Sequence, residues 1–98
     1  MKILLFGVGY WGKNHLRELS NNDKVTSLIV VDPFFESYTD LMNKYSDVKF
    51  YHSFSDALVE NKNIDGAVIA TPPSTHFEIA KKCLENDIHV LVEKPMVE

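Results

Sequence analysis

The sequence predicts an α/β fold in which a doubly wound parallel sheet of about five strands lies between two layers of helices. Short apolar runs alternate along the whole chain with segments of helical periodicity, which is the pattern of successive β-α-β units. The chain has 98 residues, enough for one domain with a packed core and too few for two. Its 45% apolar and 24% charged residues are typical of a globular protein.

The predicted strands are apolar runs that end at a glycine, a proline or a polar turn. They cover residues 2–6, 25–31, 48–51, 66–70 and 89–92. Because these runs are almost continuously apolar, both faces of the sheet are expected to be buried. The first three helices are predicted over residues 10–21, 36–45 and 53–60, and a fourth runs from after Thr75 to Asn86.

Two helix starts have the spacing of a capping box, namely Ser53 with Asp56 and Thr75 with Glu78. The fourth helix is expected to close with Asn86 in the left-handed conformation. Its apolar face is predicted to consist of Phe77, Ala80 and Leu84, with Ile79 and Cys83 beside them.

Charge and cysteine content exclude several kinds of partner. The net charge is -4 and the basic residues are scattered, so nucleic acid is not expected to bind. No apolar run is long enough for a secretory signal or a membrane span, so the protein is expected to be cytoplasmic, without a membrane partner. Cys83 is the only cysteine, so neither an internal disulfide nor a metal site is expected.

Three glycines follow the first strand directly and open the first helix. In that place a G-x-G-x-x-G pattern is the fingerprint of a dinucleotide-binding Rossmann fold. Gly7 would allow the tight turn, Gly9 would let the main chain approach a pyrophosphate, and Gly12 would let the helix pack against the strand. Tyr10 and Trp11 are expected to contact the pyrophosphate through their backbone. A glycine-rich turn without a ligand is the alternative.

Asp32 ends the second strand, at the distance from the glycines expected of a carboxylate that accepts hydrogen bonds from the adenosine ribose. Such a carboxylate would repel a 2′-phosphate. No Arg or Lys follows within residues 33–38 to neutralise one, so the sequence favours NAD over NADP. The alternative is a solvated aspartate that begins a turn with Pro33. Phe34 and Phe35 come next and could either flank the adenine or pack in the core.

Residues 71–74, Thr-Pro-Pro-Ser, follow the fourth strand. Nucleotide-type methyltransferases, which also carry glycines and an acid after their first two strands, have an Asn/Asp-Pro-Pro-aromatic motif there. This chain has neither the amide or acid at the first position nor the aromatic at the last. Methyl transfer is therefore disfavoured.

Four motifs occur in order across nearly the whole chain. They are the glycine pattern, Asp32, a Thr-Pro-x-x-x-His segment from Thr71 to His76, and Glu93-Lys94-Pro95. In this combination the chain resembles the N-terminal NAD(P)-binding domain of the Gfo/Idh/MocA family, the group of glucose-fructose oxidoreductase, inositol dehydrogenase and rhizopine-catabolism proteins. The run at residues 9–14 further resembles the branch of that family that oxidises nucleotide-activated sugars.

The resemblance implies a dehydrogenase that moves hydride between NAD(P) and a hydroxyl-bearing carbon of a sugar, polyol or nucleotide sugar. It also implies that Lys94 is the catalytic residue, close to the nicotinamide, where a lysine can donate to a hydroxyl or a developing alkoxide. A role for His76 in starting the helix is an equal alternative to contact with the cofactor. The other residues that the resemblance places in the cofactor region are Thr71, Pro72 and Glu93.

Members of that family are longer and carry a second domain that binds the substrate. The resemblance therefore implies that residues 1–98 are an incomplete NAD(P)-binding domain, which binds the cofactor but does not turn over a substrate alone. The fifth strand is expected to be an exposed edge, which favours self-association into a homo-oligomer. The alternative function is a non-catalytic nucleotide-binding or sensing module, which has no need for Lys94.

Overall fold

The structure, a computed structural model, describes residues 1–9 and 12–92, without the side chains of residues 73, 91 and 92. Its strands are β1 Lys2–Phe6, β2 Ser27–Val31, β3 Lys49–Tyr51, β4 Gly66–Ile69 and β5 His89–Val92. Its helices are α1 Gly12–Ser20, α2 Thr39–Lys44, α3 Phe54–Glu60 and α4 Pro73–Glu85, and a 3-10 helix, Phe35–Tyr38, precedes α2. None of the described helices is long and apolar enough to cross a membrane.

The strands form one parallel sheet in the order β3-β2-β1-β4-β5. The chain builds outward from β1 to β3 on one side, then crosses over and places β4 and β5 on the other. The strand order therefore reverses between β1 and β4, and in such sheets a crevice opens there at the carboxyl ends of the strands. The doubly wound parallel fold predicted from the sequence is confirmed.

Two apolar clusters lie on opposite faces of the sheet, because successive residues of a strand point to opposite sides. In β1, Leu4 belongs to one cluster and Leu5 to the other, and both are fully buried. The first cluster joins the sheet to α3 and α4 through Ala57 and Cys83, and the second joins it to α1 through Leu16. Each large apolar side chain buried in this way contributes about 1.5–3 kcal/mol. The result is the expected three-layer arrangement.

Most element boundaries agree with the sequence prediction, and the Ser53 cap of α3 is confirmed. The Ser53 hydroxyl accepts a hydrogen bond from the Asp56 amide at 3.2 Å. β2 begins at Ser27 instead of residue 25, because the Val25 amide closes a turn by donating to the Asn22 carbonyl. The helix predicted over residues 36–45 is interrupted at Tyr38, whose ψ of 49° lies outside the helical range.

α4 begins earlier than the capping-box pattern predicts. Pro73 occupies the first turn of the helix, where its missing N–H is not needed and its fixed φ suits helical geometry. Thr75 therefore lies inside the first turn, and its hydroxyl donates to the Pro72 carbonyl at 2.7 Å. The predicted capping box of Thr75 and Glu78 is wrong, because the two prolines start the helix before it.

α4 ends in a Schellman motif, one residue beyond the predicted position. Asn86 is the C-cap, with φ of -110°, and Asp87 takes the left-handed conformation, with φ of 58°. The Ile88 amide donates to the Cys83 carbonyl at 2.9 Å and the Asp87 amide to the Leu84 carbonyl at 3.1 Å, as that motif requires. The left-handed assignment of Asn86 is wrong, because in this motif the left-handed residue follows the C-cap.

α4 also buries a narrower face than its apolar pattern predicts. Cys83 is fully buried, and Ile79 and Ala80 pack against the core. Phe77 is 79% exposed and Leu84 is 65% exposed, so their predicted burial is wrong. These two residues are seven positions apart and share one side of the helix, whereas the sheet contacts the side centred on Ile79 and Cys83.

Burial of Cys83 predicts a thiol of low reactivity. Cys83 is fully buried, and its desolvation raises the pKa of the thiol from 9.0 to about 11. At pH 8.5 the thiolate share of the native chain is therefore lower than that of the unfolded chain by about two orders of magnitude. Iodoacetamide at pH 8.5 should label Cys83 slowly in the native chain and rapidly in urea, as followed by mass spectrometry.

The raised thiol pKa also fixes how Cys83 affects stability. The folded state holds the thiol proton more tightly than the unfolded state does. The contribution of this proton to the free energy of unfolding is therefore complete below pH 9.0 and is lost as the pH rises toward about 11. Cys83→Ala should remove this alkaline sensitivity from the free energy of unfolding. Equal alkylation rates with and without urea would contradict the burial of the thiol.

Candidate dinucleotide-binding site

The turn that follows β1 requires glycine at its first position. Gly7 has φ of +91°, in the left-handed region that favours glycine. Its amide donates to the Val31 carbonyl at 2.9 Å, which holds the turn against the end of β2. A Cβ on Gly7 would lie 3.0 Å from Cγ2 of Thr71 and 3.3 Å from the Ala70 carbonyl oxygen. The turn is therefore wedged between the ends of β2 and β4.

Gly12 is the point at which α1 packs on this turn. A Cβ on Gly12 would collide with the carbonyl oxygen of Gly7 and lie 2.7 Å from its carbon. The Lys13 amide donates to the Gly9 carbonyl at 3.1 Å, in the i to i+4 pattern of the helix. The N-terminus of α1, with its positive dipole end, thus lies directly beside the turn.

Gly9 differs from both neighbouring glycines of the fingerprint. A Cβ placed on it would meet nothing within 4 Å among the described residues, and its φ is not in the left-handed region. Packing against the described residues and backbone strain therefore give no reason for glycine at this position. The space beside Gly9, at the N-terminus of α1, is where a phosphate could approach the main chain.

Asp32 ties the end of β2 to the glycine turn. Its side chain is buried, Oδ2 accepts from the Val8 amide at 3.0 Å, and Oδ1 accepts from the Phe34 amide at 2.8 Å. The alternative of a merely solvated aspartate does not describe this residue. Each carboxylate oxygen can accept more than one hydrogen bond, so both keep capacity for a ribose hydroxyl.

The two phenylalanines after Asp32 have different surroundings. Phe35 packs on Phe50 at 5.9 Å between ring centroids and stacks on the His52 ring at 4.3 Å. His52 Nε2 lies 2.7 Å from Oε1 of Glu36, so the end of β3 and the 3-10 helix are held together. Phe34 is 69% exposed. Of the two, Phe34 is therefore the one available to an adenine ring.

The segment after β4 is held by three short hydrogen bonds among its own residues. Oγ1 of Thr71 lies 2.6 Å from Oγ1 of Thr75, and the Thr75 hydroxyl reaches the Pro72 carbonyl at 2.7 Å. His76 Nε2 lies 2.7 Å from the Thr71 carbonyl oxygen. His76 thus contacts the backbone that lines the crevice, and its expected contact with a cofactor stays a prediction.

The structure brings together the predicted residues that follow three neighbouring strands: Gly7, Gly9 and Gly12 after β1, Asp32 after β2, and Thr71, Pro72 and His76 after β4. Tyr10, Trp11, Glu93 and Lys94 lie outside the described residues, so their assigned roles stay predictions. Among the described residues no group of three or more His, Cys, Asp or Glu side chains could hold a metal ion.

Two contacts at this site have no signal in the sequence. The Val8 amide is a partner of Asp32 because β1 and β2 are in register, with Phe6 opposite Val31. The hydrogen bond between His76 and the Thr71 carbonyl, which we call the clasp, forms because α4 begins at Pro73 and so places the imidazole over the preceding turn. Neither the register of β1 with β2 nor the first residue of α4 could be predicted from residue spacing.

A parallel doubly wound sheet with a G-x-G-x-x-G turn and a buried carboxylate at the next strand defines a dinucleotide-binding Rossmann domain of the kind found in dehydrogenases. The model of the Gfo/Idh/MocA family, described as "Oxidoreductase family, NAD-binding Rossmann fold", matches residues 1–98. The chain belongs to this family, as its motifs indicate.

Three relatives illustrate the match. A 4-carboxy-2-hydroxymuconate-6-semialdehyde dehydrogenase of Sphingobium sp. is 31% identical over 98 residues, which is 100% of this chain and 31% of that protein. The structure of GenD2 from gentamicin A biosynthesis in complex with NAD has a TM-score of 0.85 at 30% identity, over 99% of this chain and 27% of that one. The structure of the WlbA dehydrogenase from Bordetella pertussis in complex with NADH and UDP-GlcNAcA has a TM-score of 0.81 at 28% identity, over 99% and 29%. The chain spans less than a third of the length of each.

Proposed function

We propose that this chain is the cofactor-binding part of an NAD-dependent dehydrogenase that transfers hydride between NAD(H) and a hydroxyl-bearing carbon of a sugar, polyol or nucleotide sugar. The observation that carries the proposal is that a Cβ placed on Gly9, beside the N-terminus of α1, would meet no atom of the described residues within 4 Å. A pyrophosphate there would meet main-chain amides and the positive end of the helix dipole. The adenosine ribose would then lie toward Asp32 and the nicotinamide toward Thr71.

The preference for NAD over NADP rests on Asp32. Its side chain is buried, and its carboxylate accepts two main-chain hydrogen bonds, from the Val8 and Phe34 amides. A 2′-phosphate on the ribose would bring a second negative charge to this carboxylate, whereas the 2′-hydroxyl of NAD would donate to it. The site therefore favours the unphosphorylated dinucleotide.

Asp32→Asn tests this preference, because it removes the charge and keeps one acceptor oxygen. Calorimetric titration of the unaltered chain should give tighter binding of NADH than of NADPH. In Asp32→Asn the ratio of the two affinities should fall by about tenfold or more, since the repulsion is lost and NADH loses an acceptor.

Asp47→Asn is the matched control, because it removes an equal charge from an exposed position outside the site. It should leave the affinity ratio unchanged. Equal binding of NADH and NADPH by the unaltered chain would contradict the specificity assigned to Asp32. Binding of neither dinucleotide by the folded chain would contradict the proposed function itself.

The proposed substrate class and chemistry are supported by the relatives and by one residue. WlbA was crystallised with NADH and a nucleotide sugar, and its similarity to this chain covers 99% of this chain. Lys94 is assigned to the nicotinamide side, where its ammonium group would donate to the reacting hydroxyl and stabilise an alkoxide as hydride leaves. The bound dinucleotide supplies the hydride acceptor. A non-catalytic nucleotide module is the less favoured function, because it would not need this lysine.

Residues 1–98 alone are proposed to bind the dinucleotide without turning over a substrate. Hydride transfer needs the substrate carbon fixed in contact with the nicotinamide, and that contact requires groups on both sides of the crevice. The relatives are more than three times as long as the part that this chain matches, and their additional length is where such groups are expected. The chain with NAD and myo-inositol or UDP-GlcNAc should therefore form no NADH.

A further inference from the structure

The hydrogen bonds after β4 fix the direction of each proton in the segment Thr71–His76. A carbonyl oxygen can only accept a hydrogen bond. The hydroxyl of Thr75, which lies 2.7 Å from the Pro72 carbonyl oxygen, therefore donates its one proton to that oxygen. In the pair of hydroxyls 2.6 Å apart, Thr75 is therefore the acceptor and Thr71 the donor. The proton of His76 must likewise sit on Nε2, which faces the Thr71 carbonyl at 2.7 Å.

These donor and acceptor assignments determine which kind of hydrogen bond Thr71 can form with a ligand. The Thr71 carbonyl accepts a hydrogen bond from His76, and the Thr71 hydroxyl donates its proton to Thr75. Oγ1 of Thr71 therefore has only its lone pairs left, with which it can accept a hydrogen bond. Oγ1 can then receive an N–H or O–H group, and it cannot donate to a phosphate. The side chain of Thr71 is partly exposed, and its methyl group faces Gly7, at the point where strand order reverses.

The position of Thr71 in the sheet predicts which half of the dinucleotide would lie beside it. Asp32 follows β2 and Thr71 follows β4, with β1 between them, so the two residues lie about 10 Å apart across the sheet edge. If the proposed function holds, the adenosine ribose lies at Asp32 and the pyrophosphate at Gly9, which leaves the nicotinamide riboside for Thr71. The donors of that half are its ribose hydroxyls and its carboxamide NH₂.

We propose that His76 and Thr75 are positioning residues that lock Thr71 Oγ1 as an acceptor for a donor group of the nicotinamide riboside. His76 holds the main chain of Thr71, and Thr75 holds its hydroxyl proton. In this arrangement both residues act through Thr71, which replaces the direct cofactor contact predicted for His76 from the sequence. This inference rests on the proposed function, because it assumes that a dinucleotide lies across the crevice.

The test compares NADH with ADP, which carries the adenosine and phosphate half alone. Calorimetry on the 98-residue chain should show that His76→Leu and Thr75→Val each weaken NADH about fivefold, the usual worth of one hydrogen bond, while ADP affinity stays within about twofold. His76→Gln and Thr75→Ser keep the donor and the hydroxyl, so they should restore NADH binding to near the unaltered value. A loss shared equally by NADH and ADP, or one that glutamine does not rescue, would overturn the proposal.

Two further measurements separate the outcomes. Nicotinic acid adenine dinucleotide, which has a carboxylate in place of the carboxamide, should bind much more weakly if the amide is the donor, and like NAD if a ribose hydroxyl is. Long-range ¹H–¹⁵N spectra of the ligand-free chain should show His76 as the Nε2–H tautomer; the Nδ1–H tautomer would overturn the clasp even if His76→Leu failed to fold. Binding of neither NADH nor ADP by the unaltered chain would instead refute the proposed function.

Discussion

Gly12→Ala is expected to lower the free energy of unfolding by about 3 kcal/mol or more. The new Cβ would collide with the carbonyl oxygen of Gly7 and lie 2.7 Å from its carbon. Both contact atoms belong to the main chain of the turn that follows the central strand β1, so no side chain can turn away to make room. Chemical denaturation in urea, followed by circular dichroism, measures the loss.

The same substitution at Gly9 is the matched control. A Cβ there meets nothing within 4 Å among the described residues, so Gly9→Ala should leave the free energy of unfolding unchanged or raise it by up to about 1 kcal/mol, because alanine restricts the unfolded chain. Equal destabilisation by the two substitutions would show that α1 does not pack on the turn as the structure has it.

Gly9→Ala is expected to weaken NADH binding by about tenfold or more while the fold persists. The methyl group would stand in the space through which a pyrophosphate approaches the main chain at the N-terminus of α1. Calorimetric titration with NADH gives the affinity, and thermal denaturation of the same sample shows that the chain is folded.

Gly66→Ala serves as the control for this second effect. Gly66 begins β4 at the amino ends of the strands, opposite the candidate site. A Cβ there would make ordinary contacts of 3.5 Å with the His89 carbonyl and with Ile3. It should leave NADH affinity unchanged. Unaltered NADH binding in Gly9→Ala would mean that the dinucleotide does not approach the chain at Gly9.

Strands were predictable from the sequence because burial on both faces makes them continuous apolar runs, as in β1 and β4. The ends of α4 were less predictable, because several residues compete for each cap. Thr75 has the side chain of a cap, yet the fixed φ of Pro73 starts the helix before it. At the other end Asn86 and Asp87 both tolerate the left-handed conformation, and only the last helical residue decides between them.

The candidate site was predictable as a set of residues and less so as a set of contacts. Fixed spacing identifies the glycines and Asp32, since the fingerprint is a local pattern. The sequence does not show that Asp32 also supports the turn through the Val8 amide, because this contact depends on the register of two strands. It likewise does not show that Phe77 is exposed, because the pattern of α4 is apolar on more than one side.

The central claim is that a dinucleotide crosses the carboxyl edge of the sheet from Asp32 past Gly9 to Thr71. The most direct test is a series of ¹H–¹⁵N spectra recorded while NAD is added to the ¹⁵N-labelled chain. Saturable shifts are expected at the amides of Gly9, Phe34 and Thr71. No shift is expected at Asp65, which lies at the opposite edge of the sheet, where the strands begin. Shifts centred on the Asp65 edge, or no saturable shifts in the folded chain, would contradict the claim.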